Sequence, residues 1–249
     1  MAHSDFDEST AFNGKTFEST AENIAAEQLL LDVAESGEGP DEILRIWKPE
    51  SHFVVLGRGG RIGDDVYLER CQAESIPVLR RISGGGTIVT GPGCLMYTVV
   101  LSLERRPGLR DVGFCHRFVG EKLQIAYQSC GYAVELRGHS DLCVGNRKFS
   151  GNAMRLGRNH VIYHGTLLVD FDLDLIPRYL KKPPRQPEYR NLRDHLEFVT
   201  NLMLDTTQLS EAIESVFNAD RLSEYELDRS RIKSLVEERY AKDEWNFRI

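Results

Sequence analysis

Seven residues, Arg80-Arg81-Ile82-Ser83-Gly84-Gly85-Gly86, constrain this chain more than any other stretch. The apolar run Ile76-Pro77-Val78-Leu79 leads into them, and a second, Leu95 to Leu103, follows the turn Gly91-Pro92-Gly93. The spacing predicts strand, glycine loop, strand. Adjacent glycines leave their amides unscreened and free to take φ > 0, so successive N–H groups can converge on an anion or a carbonyl oxygen. A neighbouring arginine adds a planar, permanently charged fork that matches phosphate or carboxylate. The same residues also fit a plain glycine-rich turn with two solvated arginines. They match neither common nucleotide loop: no Gly-Lys-Ser/Thr closes a P-loop, and the spacing is not that of the dinucleotide fingerprint.

A length of 249 residues fits one large or two small domains, and 41% hydrophobic residues suffice for a sizeable core. The formal net charge of −7 argues against a general nucleic-acid binder. Arg80, Arg81, Arg105, Arg106 and Arg110 nonetheless cluster in sequence, which suggests a local anion site. The five cysteines (Cys71, Cys94, Cys115, Cys130, Cys143) are odd in number and none are spaced C-x-x-C, which disfavours a zinc site or a secreted disulfide frame. The N-terminus is polar and acidic, without the apolar core of a signal peptide. No apolar run approaches the roughly 20 residues of a membrane helix. A cytoplasmic protein is expected, with no metal site, nucleic-acid partner or membrane partner.

Residues 1–18 lack periodicity and read as a flexible tail. Ser19-Thr20-Ala21-Glu22 has the form of a capping box, so a helix should follow with Ile24, Ala25, Gln28, Leu29 and Leu31 on its buried side. Ile43–Trp47 and Phe53–Leu56 read as strands paired across Pro49-Glu50-Ser51, and Asp64–Ala73 as a short helix. A helix over about 112–129 is predicted to bury Phe114, Phe118 and Ile125. Tyr132–Leu136 reads as a strand, Gly145-Asn146 as a two-residue hairpin turn, and Val161–Val169 as a strand with His164-Gly165-Thr166 at its middle. The last third reads as helical, with Thr206 or Thr207 capping one helix and Ser223-Tyr225-Glu226 starting another. One mixed α/β domain over residues 19–249 is the simplest architecture.

Two further stretches carry chemistry-bearing residues. Lys148-Phe149-Ser150-Gly151-Asn152-Ala153 sends a lysine off the hairpin beside a glycine, where an ammonium can meet a ligand close to backbone. His164-Gly165-Thr166-Leu167-Leu168 offers side-chain donors at a point of close approach. Alone, each also fits a solvated edge lysine or a structural histidine.

Taken in order, R-R-x-S-G-G-G, K-x-S-G-x-A and H-G-T-L-L resemble the lipoate–protein ligase and octanoyltransferase family, whose catalytic domain is related to that of biotin ligases. The resemblance runs from about Thr20 to the C-terminus. It implies an α+β fold with a mixed, largely antiparallel sheet flanked by helices. It implies a lipoyl or octanoyl substrate, with ATP and Mg²⁺ as a substrate complex. The implied acceptor is a lysine on a lipoyl domain of a 2-oxoacid dehydrogenase, or on the glycine-cleavage H protein. By the same resemblance Arg81, Ser83, Gly84, Gly85 and Gly86 hold acyl group and adenylate. Lys148 is the catalytic group, contacting acyl carbonyl and phosphate. Asp141, Ser150, Gly151, Ala153, His164, Gly165 and Thr166 complete the pocket. Two places depart from the family pattern: Thr90 stands near a position often held by histidine, and Gly59-Gly60-Arg61 replaces a segment often bearing asparagine or glutamine. No separate C-terminal accessory domain is expected within the 249 residues.

Three readings follow: an ATP-dependent ligase, a transferase using a cysteine thioester, and an acyl-adenylate-binding subunit that needs a second polypeptide. Cys143 is the only cysteine close to Lys148 in sequence. Strand alternation puts Cys143 and Asp141 on one face and Leu142 and Val144 on the other, so a core-facing Leu142 would turn Cys143 outward.

Overall fold

The computed structural model describes residues 10–248, the side chains of 220–224 excepted. In chain order the strands are β1 (Thr10–Asn13), β2 (Ile43–Trp47), β3 (Phe53–Leu56), β4 (Val78–Arg80), β5 (Ile88–Thr90), β6 (Cys94–Ser102), β7 (Glu135–Arg137), β8 (Asp141–Val144), β9 (Arg147–Leu156), β10 (His160–Leu168) and β11 (Ala219–Glu224). Eight of them form one sheet in the order β11-β1-β2-β6-β10-β9-β8-β7. Only the β11-β1-β2 pairings are parallel; from β2 to β7 the sheet is antiparallel throughout. A smaller sheet, β4-β3-β5, carries the glycine loop between β4 and β5. The mixed, largely antiparallel architecture expected from the sequence is therefore present.

Every residue of the central strands β6 and β10 is buried, because both faces of the sheet are covered. On one face Leu95, Tyr97, Val99 and Leu101 share an apolar cluster with Cys115, Val119 and Leu123 of the helix Val112–Ser129. On the other, Met96, Val100 and Ile162 share a cluster with Ile24, Leu29 and Leu30 of the helix Thr20–Ser36. Each such leucine or valine contributes roughly 1.5–3 kcal/mol of transfer free energy. One row interrupts this pattern. Arg45, Thr98, His164 and Ala153 lie abreast on β2, β6, β10 and β9, on the face of the helix Thr20–Ser36.

Local signals translate directly. Ser19 caps the first helix, with Ser19 Oγ accepting from Glu22 N and the Glu22 carboxylate accepting from Ser19 N. Gly145, at φ 58°, and Asn146 close the β8–β9 hairpin. Non-local expectations need correction. Thr10–Asn13, read as tail, is a strand, because Ala11, Phe12 and Asn13 pair with Ile43, Leu44 and Arg45; residues 1–9 lie outside the described residues. β2 and β3 are strands but do not pair, since β3 leaves for the smaller sheet. The expected helix over 64–73 is two, Ile62–Asp65 and Leu68–Ala73, broken at the extended Val66. In the helix Val112–Ser129 the buried face is Cys115, Val119, Leu123 and Ala126, while Phe114 and Ile125 are exposed. Asp205, not a threonine, caps the helix Thr206–Val216. Residues 219–224 are a strand, and the following helix starts at Arg229 under Asp228.

Candidate active site

A cleft of about 1810 Å³ opens beside the β8–β9 hairpin. Gly84, Gly85 and Gly86 line it together with Asp141, Lys148, Ser150, Gly151, Ala153 and Thr166. Leu168, Ile176, Leu180 and Val199 give it an apolar part.

Lys148 leaves β9 at the hairpin, and its Nζ is 2.7 Å from Asp141 Oδ1. Tyr189 OH donates to the other oxygen, Oδ2, at 2.6 Å. The ammonium lies directly over Gly151: a Cβ there would stand 2.8 Å from Nζ, so the glycine makes room for the lysine. Behind it, Thr200 N donates to Lys148 O at 2.8 Å and Arg147 Nη2 to Val199 O at 2.7 Å, so the segment after Tyr189 pins the strand that presents Lys148. Next along β9, Asn152 Oδ1 accepts from Tyr97 OH at 2.6 Å. A Cβ on Gly165 would sit 1.9 Å from that oxygen, which accounts for a glycine in the middle of β10.

The glycine loop is built from behind. Gly85 takes φ 87°. Gly84, Gly85 and Gly86 are exposed to the cleft, leaving their amides accessible. Arg81 turns away from the cleft: Nη2 donates to Gly84 O and, at 2.8 Å, to Gly86 O, Nη1 to Val55 O, and Nε to Ser83 Oγ at 2.9 Å. Burial pulls its guanidinium down to about 10, opposed by the Glu27 carboxylate. Ser83 Oγ is 2.6 Å from His164 Nε2, and His164 Nδ1 is 2.6 Å from Glu27 Oε2. Thr98 Oγ1 donates to Glu27 Oε1 at 3.0 Å. Burial by itself raises the Glu27 carboxyl, but the adjoining His164 ring that bonds it, then Arg45 and Thr98, outweigh it and hold it below the ordinary range.

The sequence-predicted residues thus divide. Lys148, Asp141, Gly84, Gly85, Gly86, Ser150, Gly151, Ala153 and Thr166 meet at the cleft. Arg81, Ser83, His164 and Gly165 lie behind it and shape its walls. The clustered arginines do not converge on one site. Arg80 spends its donors on Gly57, Gly60, Asn246 and Arg248 carbonyls, while Arg105 pairs with Asp41 and Arg106 with Glu42. Sequence reasoning missed Glu27, Tyr189, Tyr97 and Asn152. Nothing local in the sequence marks Glu27: it is one of several polar residues on the first helix, and its partners Thr98 and His164 lie on distant strands.

Cys143 differs from the alternation argument. Leu142 and Cys143 are both fully buried while Val144 is exposed, because the ladder shifts register between Leu142 and Cys143. Burial pushes the Cys143 thiol up, outweighing the hydrogen bond to Tyr189 and the nearby Lys148 charge. Among the described residues no group of three or more His, Cys, Asp or Glu is placed to hold a metal ion. No described helix is long and apolar enough to cross a membrane.

Lipoate–protein ligase 1 of Staphylococcus aureus is 29% identical over 206 residues, covering 78% of this chain and 61% of its own length. The chain thus spans about three fifths of that relative. Among solved structures, a bi-partite lipoate protein ligase from Thermoplasma acidophilum superposes with a TM-score of 0.79 at 21% identity, over 96% of both chains. A lipoate-protein ligase A bound with ATP superposes with a TM-score of 0.77 at 21% identity, over 96% of this chain and 99% of that one. These two likenesses show a shared fold. The model of the lipoyl protein ligase A/B catalytic domain matches residues 19–219, from the cap of the first helix to the start of β11, and the chain belongs to that family.

Proposed function

We propose that this chain is an ATP-dependent lipoate–protein ligase that activates lipoate or octanoate as acyl-AMP and transfers the acyl group to a lysine amine. The observation that carries the reading is the placing of Lys148 and the exposed glycine loop along one cleft that also has an apolar part for an acyl chain. In the first step the substrate carboxylate attacks the α-phosphorus and pyrophosphate leaves. In the second the acceptor amine attacks the acyl carbon and AMP leaves. Both steps build negative charge on oxygens beside the reacting centre. A fixed ammonium and backbone N–H groups stabilise that charge without reorganising. Lys148 is then an electrostatic clamp, released from Asp141 as substrate oxygens take its place. Asp141 stays oriented by Tyr189. Mg²⁺ enters with ATP, as phosphate-bound magnesium does when few protein carboxylates hold it.

The acceptors proposed are lipoyl domains of 2-oxoacid dehydrogenases or the glycine-cleavage H protein, and the setting is the cytosol, in keeping with five unpaired thiols. The likeness to a bi-partite ligase over 96% of both chains favours one variant of this reading, in which a second polypeptide completes the enzyme. The buried Cys143, its thiol pushed up, weighs against a thioester route.

Purified chain mixed with ATP, Mg²⁺, lipoate and a lipoyl domain tests the reading by intact mass. A lipoyl adduct that requires ATP is expected. An adduct formed only after cell extract is added selects the two-polypeptide variant. An acyl adduct formed from octanoyl carrier protein without ATP would replace the ligase with a transferase.

A further inference from the structure

Ser83 Oγ already accepts from Arg81 Nε, so its own proton is available for His164 Nε2. His164 is then protonated on Nδ1 and donates to Glu27 Oε2, while Thr98 fills Glu27 Oε1. The chain of bonds continues through Arg81 to the carbonyls of Gly84 and Gly86. It therefore runs unbroken from a helix on one side of the sheet to the loop that forms a wall of the cleft. Glu27 is 3% exposed, His164 7% and Ser83 0%, so water competes for none of these bonds. Glu27 does not line the cleft. A carboxylate buried at this depth contributes little net stability even when paired; what fully satisfied partners add is a fixed arrangement.

We propose that Glu27 is a positioning residue for the ligase reaction: by fixing the His164 tautomer and ring it holds Ser83, and with Ser83 and Arg81 the shape of the Gly84–Gly86 loop. The inference rests on the ligase reading for its effect on catalysis, but not for its effect on the loop. Replacing Glu27 by leucine leaves His164 Nδ1 without an acceptor and frees the ring. Glutamine can still accept from Nδ1 through its oxygen while its amide donates to Thr98, so it should restore most of the arrangement. Ser83→Ala cuts the same chain one link nearer the loop: it keeps the Glu27 carboxylate and its bond to His164 and removes the acceptor of Arg81 Nε. Thr98→Val removes the other partner of Glu27 and leaves the link to His164 in place.

The test uses the full chain labelled with ¹⁵N. The backbone resonances of Gly84, Gly85 and Gly86 and the ring nitrogens of His164 are followed without ligand. Calorimetry with ATP and lipoate follows. Glu27→Leu and Ser83→Ala should both move the three glycine resonances and weaken binding by about tenfold, the scale of one lost hydrogen bond to a charged group. The double variant should be little worse than either single one. Glu27→Gln should lie near wild type, and Thr98→Val should leave the glycine resonances in place. If Glu27→Leu does not fold, Ser83→Ala with the His164 ring signals decides. Glycine resonances unmoved in the folded variants, or additive losses in the double variant, would overturn the proposal. Wild-type protein that binds neither ATP nor lipoate would count against the ligase reading alone, since the resonance shifts need no ligand.

Discussion

On the glycine-loop side of the cleft, Arg81, Ser83, His164 and Glu27 are each less than a tenth exposed, and each makes at least two polar contacts. On the hairpin side, Lys148 is 27% exposed at its side chain and is held by one carboxylate. Similar residue types therefore stand in opposite situations. The first group is over-determined and turned inward, so its charges serve to fix backbone. The second is singly paired and faces the cleft, so its charge can be handed from Asp141 to a ligand at modest cost. A cationic side chain near a glycine loop is thus no guide to its task until its partners are counted. Arg81 looks in sequence like the anion-binding fork, yet its donors are spent on carbonyls and Ser83.

The sharpest way to break this contrast is to remove the inward arginine. Arg81→Met removes the donor that the Gly84 and Gly86 carbonyls share and leaves the buried Ser83 Oγ and Val55 O short of a partner, at about 1–3 kcal/mol for a buried group left unpaired. With a total near 3 kcal/mol the melting temperature should fall by roughly 6–12 °C in a chain of this size. An unchanged melting curve by circular dichroism would mean that the inward bonds hold nothing. Next comes Gly85→Val. Its φ of 87° disfavours any side chain, and a Cβ would stand 2.9 Å from Arg81 Nη2 and 3.3 Å from the Ala153 Cβ. A loss of about 1–3 kcal/mol is expected, with binding of ATP and lipoate abolished in calorimetry. Full-affinity binding would reduce the loop to a mere turn. The smallest effect is at Cys143. Burial raises its thiol above the usual range, so it stays protonated at pH 8, and reactivity would rise only as pH climbs toward the raised value. Peptide mapping after brief iodoacetamide treatment at pH 8 should find Cys143 unmodified and Cys143→Ser fully active. Rapid alkylation of Cys143 would revive the thioester route.

What could be read from the sequence follows the range of the interactions. Ser19 and Glu22, three residues apart, and the Gly145-Asn146 turn depend on neighbours in the chain, and both features formed as expected. The motifs around Lys148 and the glycine loop were equally legible, because each is set by a few adjacent residues. Pairing was not. β3 carries the same apolar pattern as β2, and nothing local tells it to join β4 and β5 instead. The helix Val112–Ser129 has apolar residues on more than one face, and Phe114 and Ile125 lost the core to Cys115, Val119 and Leu123. Glu27 escaped notice because its partners are 71 and 137 residues away, on different strands. A hint lay in Arg45, Thr98 and His164, each a polar residue at an inward position of an apolar strand. Only the strand register shows that they share one row.

The account turns on Lys148 acting on charge rather than on fold, and Lys148→Ala measured for both properties tests it most directly. The side chain is partly exposed and Asp141 keeps its bond from Tyr189, so the melting temperature should stay within about 2 °C of wild type. In the ATP-, lipoate- and lipoyl-domain assay, kcat/KM should fall by ~10² or more, the scale of one lost donor to a developing oxyanion. A folded Lys148→Ala protein that turns over at the wild-type rate would contradict the account.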